Sequence, residues 1–215
     1  MAELTSICRL CHQQARGFME VDGRAYLACD HCGLRMMHHD DLPTPRDEKS
    51  HYDQHDNRLD DKGYQQFLSR LADPLKAILP PSSSLLDFGS GPGPALAQMM
   101  RNDGHQVAIY DPFYAPDRSV LSAQYDAVMA TEVVEHFHHP HHDFKQMLAG
   151  VRVGGWLAIM TNLQDDDAAF AGWYYRRDPT HVAFYREETF QFIAKEFGLK
   201  LDRISRNVTF FQKPL

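Results

Sequence analysis

The chain has 215 residues, of which 43% are hydrophobic and 24% charged, and its formal net charge at pH 7 is −7. This length accommodates one sizeable domain with a small appendage, and the composition is that of a globular protein. The acidic balance argues against a general polyanion binder, so no DNA partner is expected. No apolar run reaches the roughly 20 residues that cross a bilayer, and the first residues show no basic-then-apolar leader. We therefore expect no membrane partner and a cytoplasmic location.

The four cysteines lie within the first 32 residues, as two C-x2-C pairs separated by 17 residues. This spacing is typical of a tetrahedral zinc site, and four thiolates leave no open position on the ion. The segment has too few apolar side chains for a core, so a bound metal would supply its folding free energy. Gly33 follows the second pair, where such a turn often needs a positive φ. We predict a zinc-ribbon-like module over residues 1–45, with a structural Zn²⁺ on Cys8, Cys11, Cys29 and Cys32.

A polar, turn-rich stretch over residues 46–63 follows, and we interpret it as a connector. From Tyr64 onward apolar residues recur at helical spacing, which predicts a helix that ends at Pro80. Tyr52 and His55 come just before this helix and are candidates to close a site from the N-terminal side.

The remaining sequence alternates short apolar runs with helical patterns, which predicts a doubly wound α/β fold with a mostly parallel sheet. Ligands of such sheets bind at the carboxyl ends of the strands. The last two strands are joined by a very short turn and are expected to pair as an antiparallel hairpin. The predicted strands span residues 85–88, 106–110, 125–131, 154–162, 199–205 and 207–213, and the predicted helices span 94–102, 141–151 and 186–198.

A glycine-rich loop joins the first of these strands to its helix, and glycines there let the backbone approach a ligand. Gly93 comes two residues after Gly91, whereas the dinucleotide fingerprint places the third glycine three residues after the second. Asp87, just before the loop, would repel a diphosphate. The loop therefore favours a cofactor with a cationic, phosphate-free end, and a nicotinamide oxidoreductase is the disfavoured alternative.

The segments "LLDFGSGPG", "YDPF" and "YDAVMATEVVEH" together resemble the class I S-adenosylmethionine-dependent methyltransferases, over about residues 64–213. The resemblance implies a Rossmann-like seven-stranded sheet whose last strand is antiparallel, in a catalytic domain over residues 64–215. It also implies a cofactor site for S-adenosyl-L-methionine: a loop of Gly89, Ser90, Gly91 and Gly93, with Asp87 near the methionyl amino end, Asp111 on the ribose hydroxyls, and Thr131 and Glu132 flanking the methionine and sulfonium side.

The string E-x-x-E-H holds Glu132, Glu135 and His136, which would share one face of a helical turn. It resembles the divalent-metal motif of ubiquinone-pathway O-methyltransferases and small-RNA 2′-O-methyltransferases, where a downstream histidine, here His181, completes the site. Metal-free relatives carry the same string as polar contacts or as a base. Three roles stay open for these four catalytic candidates: holding Mg²⁺ or another divalent ion, metal-free acid–base work, and structure.

Two further sets of residues lie near these candidates in sequence, and surface exposure or core packing is the simpler role for each. The histidines around Pro140 are predicted to be surface residues at a helix start, and they are His138, His139, His141 and His142. The aromatic-rich segment after the predicted strand 154–162 offers candidates for an acceptor pocket, and they are Trp173, Tyr174, Tyr175, His181 and Tyr185.

The sequence as a whole predicts methyl transfer to an acceptor, with a small-molecule hydroxyl as the first hypothesis. A protein or RNA group presented to the zinc module is the second. A non-catalytic binding module with a degenerate cofactor domain is the alternative from a different class, and the intact glycine loop argues against it.

Overall fold

The computed structural model describes residues 4–54 and 61–215, apart from the Arg203 side chain. Its strands are β1 Thr5–Ile7, β2 Gln14–Val21, β3 Arg24–Ala28, β4 Arg35–Met37, β5 Ser84–Phe88, β6 Gln106–Tyr110, β7 Tyr125–Thr131, β8 Val151–Met160, β9 Ala183–Phe184, β10 Lys200–Arg203 and β11 Val208–Gln212. Its α-helices are α1 Pro45–Tyr52, α2 Lys62–Ile78, α3 Ala95–Asn102, α4 Pro140–Ala149 and α5 Glu187–Glu196.

The main sheet has the strand order β10-β11-β8-β7-β5-β6. Strands β8, β7, β5 and β6 are parallel, whereas β11 runs antiparallel to both of its neighbours. The predicted α/β fold with an antiparallel last strand is therefore confirmed. The described residues contribute six strands to this sheet rather than seven. Between β6 and β7 the chain forms a bridge from Asp111 to Ala115 and a 3₁₀ helix, Arg118–Ser122.

Alternate residues of the central strands face two different layers, as the two-residue period of a strand requires. Ala127 and Met129 of β7 pack with α2 and α3 on one side. Val128 and Ala130 face the other side, where they join α4 and α5. The N-terminal cysteine-containing segment shares this second core, so it packs on the sheet as part of that layer.

The N-terminal segment forms a second sheet in the order β1-β2-β3-β4-β9, antiparallel throughout. Its last strand comes from the far end of the chain: Ala183 pairs with Met36, and Phe184 with Arg35. We call residues 4–37 the cysteine module. Its sheet is complete only with β9.

The described part of the predicted connector is not turns alone, because helix α2 begins at Lys62 and residues 45–52 form helix α1. Thr44 and Asp47 make a reciprocal capping box at its start, and Pro45 occupies the first turn. These are standard helix-start signals. No helix among residues 4–54 and 61–215 is both long and apolar enough to cross a membrane.

Candidate functional site

A cleft of about 960 Å³ opens at the carboxyl ends of β5, β6 and β7 and extends under α1. One part, which we call the glycine-loop end, is lined by residues 88–92 and 110–114. The other part, the histidine end, is lined by Glu48, Tyr52, Glu132, His136, His138, Tyr175, Asp178 and His181. The cleft lies where a doubly wound sheet normally binds its ligands.

Gly89 opens the loop in a backbone conformation that only glycine adopts without strain, with φ of +76°. A Cβ atom there would stand 2.5 Å from Cγ2 of Val133. The amides of Gly89 and Ser90 donate to the Tyr110 carbonyl at 2.7 and 3.1 Å. The first turn of the loop is thus fixed against the end of β6 and against the residue after Glu132.

Asp111 is buried at the end of β6, and its carboxylate is fixed by backbone amides. Oδ2 accepts from Gly91 at 3.0 Å, while Oδ1 accepts from Phe113 at 2.8 Å and from Tyr114 at 3.0 Å. A carboxylate has about four acceptor positions, so about one remains on Oδ2. That remaining position can accept a hydrogen bond from a ligand hydroxyl.

Asp87 and Gly93 do not line the cleft in the described part of the chain. Asp87 is buried behind the loop, and burial raises the pKa of its carboxyl to about 7. Its influence on a ligand therefore acts through charge and through the loop it supports.

Three buried polar atoms near the glycine loop have no hydrogen-bond partner within the described residues: Ser90 Oγ, Thr131 Oγ1 and Glu132 Oε1. All three residues line the cleft. Unsatisfied buried polar atoms are costly, and at a cleft wall they indicate a place for a ligand's polar groups. The residues present thus fit a polar, cationic cofactor at this end.

Glu132 has a left-handed backbone, with φ of +52°, directly after β7. Burial, followed by the nearby Glu135 carboxylate, raises the pKa of Glu132 to about 9. Its side chain is therefore a neutral acid at pH 7. Strained backbone of this kind is commonly kept at functional sites.

Glu135 is fully buried and does not line the cleft in the described structure. The Tyr175 hydroxyl donates to its Oε1, and the Thr161 hydroxyl donates to Oε2 at 2.9 Å. Burial raises the pKa of the Glu135 carboxyl. Oε1 holds Tyr175 in the wall of the histidine end, while Oε2 holds Thr161.

His136 and His181 lie edge to face in the cleft, with ring centroids 4.7 Å apart. Nδ1 of His136 donates to the Thr180 carbonyl at 3.0 Å, and Nδ1 of His181 donates to the Tyr175 carbonyl at 2.6 Å. The first bond fixes the tautomer of His136 and leaves its Nε2 as the basic nitrogen. Nε2 of His181 lies 3.8 Å from Oδ2 of Asp178. Burial, followed by the charge of His181, lowers the pKa of His136, so this ring is neutral at pH 7.

The four catalytic candidates do not converge as one group. Candidate ligand atoms of Glu135, His136 and His181 lie within 4.8 Å of one another, but Glu132 is outside this cluster. The reason is local: the left-handed Glu132 precedes the 3₁₀ turn Val134–His136, so no helical face joins it to the other two. The cluster does not fit Mg²⁺, which prefers six oxygens, because it offers two nitrogens and a carboxylate already hydrogen-bonded on both oxygens.

The histidine end also contains a pair that the sequence did not indicate. Nε2 of His138 lies 3.0 Å from Oε1 of Glu48 in α1, and both residues line the cleft. His138 is half-buried rather than a free surface residue, whereas His139 is exposed as predicted. No local signal could have found this pair, since 90 residues separate its members.

The aromatic candidates divide into two sets. Tyr52, Tyr174 and Tyr175 line the cleft. Trp173 packs instead against Phe170, Tyr175 and Phe184, and Tyr185 is fully buried with its hydroxyl donating to the Val134 carbonyl at 2.9 Å. His55 lies outside the described residues.

The four cysteine sulfurs of the cysteine module form one cluster, in which all the sulfur atoms lie within 4.8 Å of one another. The Sγ atoms of Cys8 and Cys32 are 3.6 Å apart, and those of Cys11 and Cys29 are 3.4 Å apart. A tetrahedral site with Zn–S bonds of 2.3 Å has edges of about 3.8 Å, so the donor set fits zinc. In each C-x2-C turn a later amide donates back to the first cysteine's carbonyl, from His12 (φ +60°) to Cys8 and from Gly33 (φ +78°) to Cys29. Gly33 thus has the positive φ predicted for it.

Comparisons with known proteins bear on the family and on the fold. The profile of a protein family described as a methyltransferase domain matches residues 54–204. No curated protein sequence matches the chain significantly.

Several solved structures are similar in fold. The 1,6-didemethyltoxoflavin-N1-methyltransferase of Burkholderia thailandensis, solved with 1,6-didemethyltoxoflavin and S-adenosylhomocysteine, is 15% identical over 90% of this chain and 97% of that chain, with a TM-score of 0.51. An O-methyltransferase family protein of the same organism is 16% identical over 70% of this chain and 55% of that chain, at a TM-score of 0.53. A chain from the Haloferax volcanii complex of the Trm112 methyltransferase activator with a methyltransferase is 12% identical, at a TM-score of 0.50, and covers 72% of this chain and 93% of that chain. At these identities the similarity concerns the fold alone.

Proposed function

The chain belongs to the methyltransferase-domain family and is an S-adenosylmethionine-dependent methyltransferase, and from this premise we propose that its acceptor is a small molecule without negative charge, methylated on a hydroxyl oxygen. The observation that carries the proposal is the neutral His136 ring in the cleft wall, whose Nδ1 is bound to the Thr180 carbonyl. Its Nε2 lone pair can accept a proton from a hydroxyl group.

The chemistry of the reaction divides between the cofactor and the protein. S-Adenosylmethionine would supply, when bound, a sulfonium methyl group whose carbon a nucleophile attacks in line, and S-adenosylhomocysteine would leave with the electron pair of the carbon–sulfur bond. His136 accepts the proton that the hydroxyl group loses as its oxygen bonds to the methyl carbon. The rest of the cleft orients the reactants and excludes water, which is a large part of the catalysis available to such a reaction.

Several residues support binding of the cofactor at the glycine-loop end. The open acceptor position on Asp111 Oδ2 suits a ribose hydroxyl, and Thr131 Oγ1 and Glu132 Oε1 suit the polar methionyl portion. Glu132 is neutral in the absence of ligand and can ionise beside a cationic group. Gly89, Ser90 and Gly91 allow the close backbone approach that the ligand needs.

The charges along the cleft support an acceptor that is uncharged or cationic. Among the described lining residues, the acidic ones are Glu48, Asp111, Glu132, Asp143 and Asp178, and the only arginine or lysine is the exposed Arg118. Glu132 is neutral at pH 7, so the negative charge comes from the other four. A phosphorylated or polyanionic acceptor would meet repulsion in such a cleft. This distribution disfavours RNA as the acceptor.

A structural Zn²⁺ on Cys8, Cys11, Cys29 and Cys32 is part of the proposal. The support is the sulfur cluster and the two matching turns. With four thiolates bound, the ion would stabilise the fold and would take no part in the reaction.

The proposal is tested by measuring S-adenosylhomocysteine release with a panel of phenols, alcohols and amines, each with its phosphorylated counterpart. We expect turnover with unphosphorylated hydroxyl compounds and the same rates with and without added Mg²⁺. His136→Gln should lower kcat by about 100-fold, within the range for loss of a general base. His139→Gln, a change of the exposed neighbouring histidine, is the matched control and should have no effect.

Other outcomes would contradict the proposal at identifiable points. Turnover with RNA or protein alone would overturn the small-molecule acceptor. Turnover that requires an added divalent ion would replace the base mechanism with a metal-held hydroxyl. If only amines are methylated, the assignment of the site stands, but the nucleophile is an amine nitrogen and not a hydroxyl oxygen.

A further inference from the structure

Arg9, between the first two cysteines, extends its guanidinium out of the cysteine module and toward the cleft. Nη1 donates to the His138 carbonyl at 3.0 Å, and Nη2 donates to the carbonyls of Val182 at 2.8 Å and Met37 at 3.2 Å. Burial lowers the pKa of Arg9 to about 10, which leaves the group charged at neutral pH. One cation thus joins three separate segments of the chain.

Two of these carbonyls belong to the segments that carry the cleft histidines. His138 lies two residues after His136, and Val182 directly follows His181. The amide of Val182 also donates to the Glu135 carbonyl at 2.8 Å. Between them, the guanidinium and this amide fix the backbone behind both imidazole rings.

The third carbonyl and the neighbouring contacts attach the same segments to the cysteine module. Met37 ends β4, and β4 pairs with β9, which begins one residue after Val182. The His141 amide lies 3.4 Å from the Arg9 carbonyl, and the rings of His12 and His141 are 4.7 Å apart. The first C-x2-C turn therefore packs directly on the segment that follows His136.

We infer that Arg9 is a positioning residue for methyl transfer: it holds His136 and His181 at their mutual distance and orientation and makes the cysteine module a working part of the acceptor site. The inference rests on the proposed role of His136 as the base. It assigns the module a function within this chain, where a zinc ribbon could otherwise serve to bind a separate partner.

The test compares Arg9→Met and Arg9→Lys with Arg16→Met and Arg16→Lys in the full-length, zinc-loaded protein. Arg16 is an exposed arginine of the same module, on β2, and is the matched control. Lysine keeps the charge at position 9 but cannot present the planar fork that reaches three carbonyls. Zinc content and S-adenosylhomocysteine affinity are measured first, and we expect both to stay close to wild type in all four variants.

The decisive readouts are the imidazole titrations of His136 and His181, followed by NMR, and the steady-state constants with an acceptor. The charged and titratable groups that face His136 are Glu135, His181, Asp178 and Tyr52. In Arg9→Met the rings move and gain water, so we expect the pKa of His136 to rise toward its ordinary value. We also expect kcat to fall by about tenfold or more with a smaller change in KM, because small displacements of catalytic groups are costly. Arg9→Lys should lie between Arg9→Met and wild type.

The inference is overturned if both Arg9 variants match the Arg16 variants in the histidine titrations and in kcat. A loss of cofactor affinity in proportion to the loss of kcat would also overturn it, since that indicates a general structural role. If Arg9→Met does not fold, Arg9→Lys decides by the same criteria. If wild type turns over no acceptor, the proposed function fails, while the NMR titrations still test the effect of Arg9 on the rings.

Discussion

Backbone groups make most of the glycine-loop end of the cleft, whereas side chains from distant segments make the histidine end. Residues 87–114 supply the first end almost entirely, through loop amides and one carboxylate fixed by amides. The second end combines α1, the turn after β7, the segment before β9 and, through Arg9, the cysteine module. The glycine-loop end is therefore encoded by one continuous stretch of sequence, whereas the histidine end forms only when distant parts of the chain fold together.

The largest expected effect comes from removing the metal proposed for the cysteine module. Structural zinc contributes roughly 10 kcal/mol in small domains, which is comparable with the entire net stability of a typical protein. Chelation should therefore lower the unfolding temperature sharply and abolish turnover, and re-addition of zinc should restore both. Thermal unfolding with parallel metal analysis checks this. A metal-free protein with unchanged unfolding and turnover would separate the module from the histidine end and would contradict the comparison.

The next effect concerns the glycine-loop end alone. Gly89→Ala places a methyl group 2.5 Å from the Val133 side chain at a φ of +76°, so the loop must move. Gly104→Ala is the matched control, because its φ is +89° and no atom lies within 4 Å of the added methyl group. Both changes should cost about 1–2 kcal/mol of stability through backbone strain. Calorimetry should find S-adenosylhomocysteine affinity reduced by about tenfold or more in Gly89→Ala alone. Equal affinities would show that the loop tolerates displacement.

A smaller effect is expected inside the histidine end. Tyr175→Phe removes the hydroxyl that donates to Glu135 and leaves a buried carboxyl oxygen without its donor, which costs about 1–3 kcal/mol. Turnover should fall while S-adenosylhomocysteine affinity stays near wild type. Tyr174→Phe is the control next to it in sequence, since that residue is 66% exposed and its hydroxyl accepts from the Asn162 side chain instead of donating to a buried carboxyl group. Denaturant unfolding of both variants measures the change in stability, and steady-state kinetics measures the change in turnover. A parallel loss of cofactor affinity in Tyr175→Phe would mean that the two ends are not independent.

The last expected change is a pH dependence located at Glu132, where the two ends meet. Burial raises its pKa from 4.5 to about 9, so the folded protein retains a proton that the unfolded chain releases. This contribution to stability is fully present below about pH 4.5 and is lost as the pH rises toward 9. Glu132→Gln keeps the neutral form at every pH and should flatten the stability profile in that window. Urea unfolding from pH 5 to 9 checks it, with the exposed Glu20→Gln as control. An unchanged profile would show that Glu132 is ionised in the fold.

The two ends of the cleft also differ in how much of each could be predicted from the sequence. The β5–loop–α3–β6 unit could be predicted because its sequence signals are contiguous. They are an apolar run, spaced glycines and an acid at the end of the next strand. The cysteine spacing was equally local, and it predicted one sulfur cluster and a positive φ at Gly33. Asp87 was expected near the ligand, but its burial behind the loop depends on how α3 packs, which the motif does not encode.

The histidine end could be predicted only in part. His136 and His181 were identified through a family resemblance, since no rule of spacing relates residues 45 positions apart. The Glu48–His138 pair was missed because α1 looked like a connector and His138 lay within a polar histidine run. Arg9 had no signature at all: its partners are carbonyl groups, which every residue possesses.

The two-residue strand β9 has a consequence for the order in which the protein can assemble. The four cysteines are available once residue 32 has been synthesised, yet the sheet beside them gains its last strand only with Ala183 and Phe184. At typical translation rates about 150 residues take roughly ten to thirty seconds. During that interval the edge of β4 lacks its native neighbour, and exposed strand edges are where nascent chains aggregate. Metal capture early in synthesis would order the two cysteine turns, but the edge of β4 would stay unpaired until residues 183 and 184 arrive.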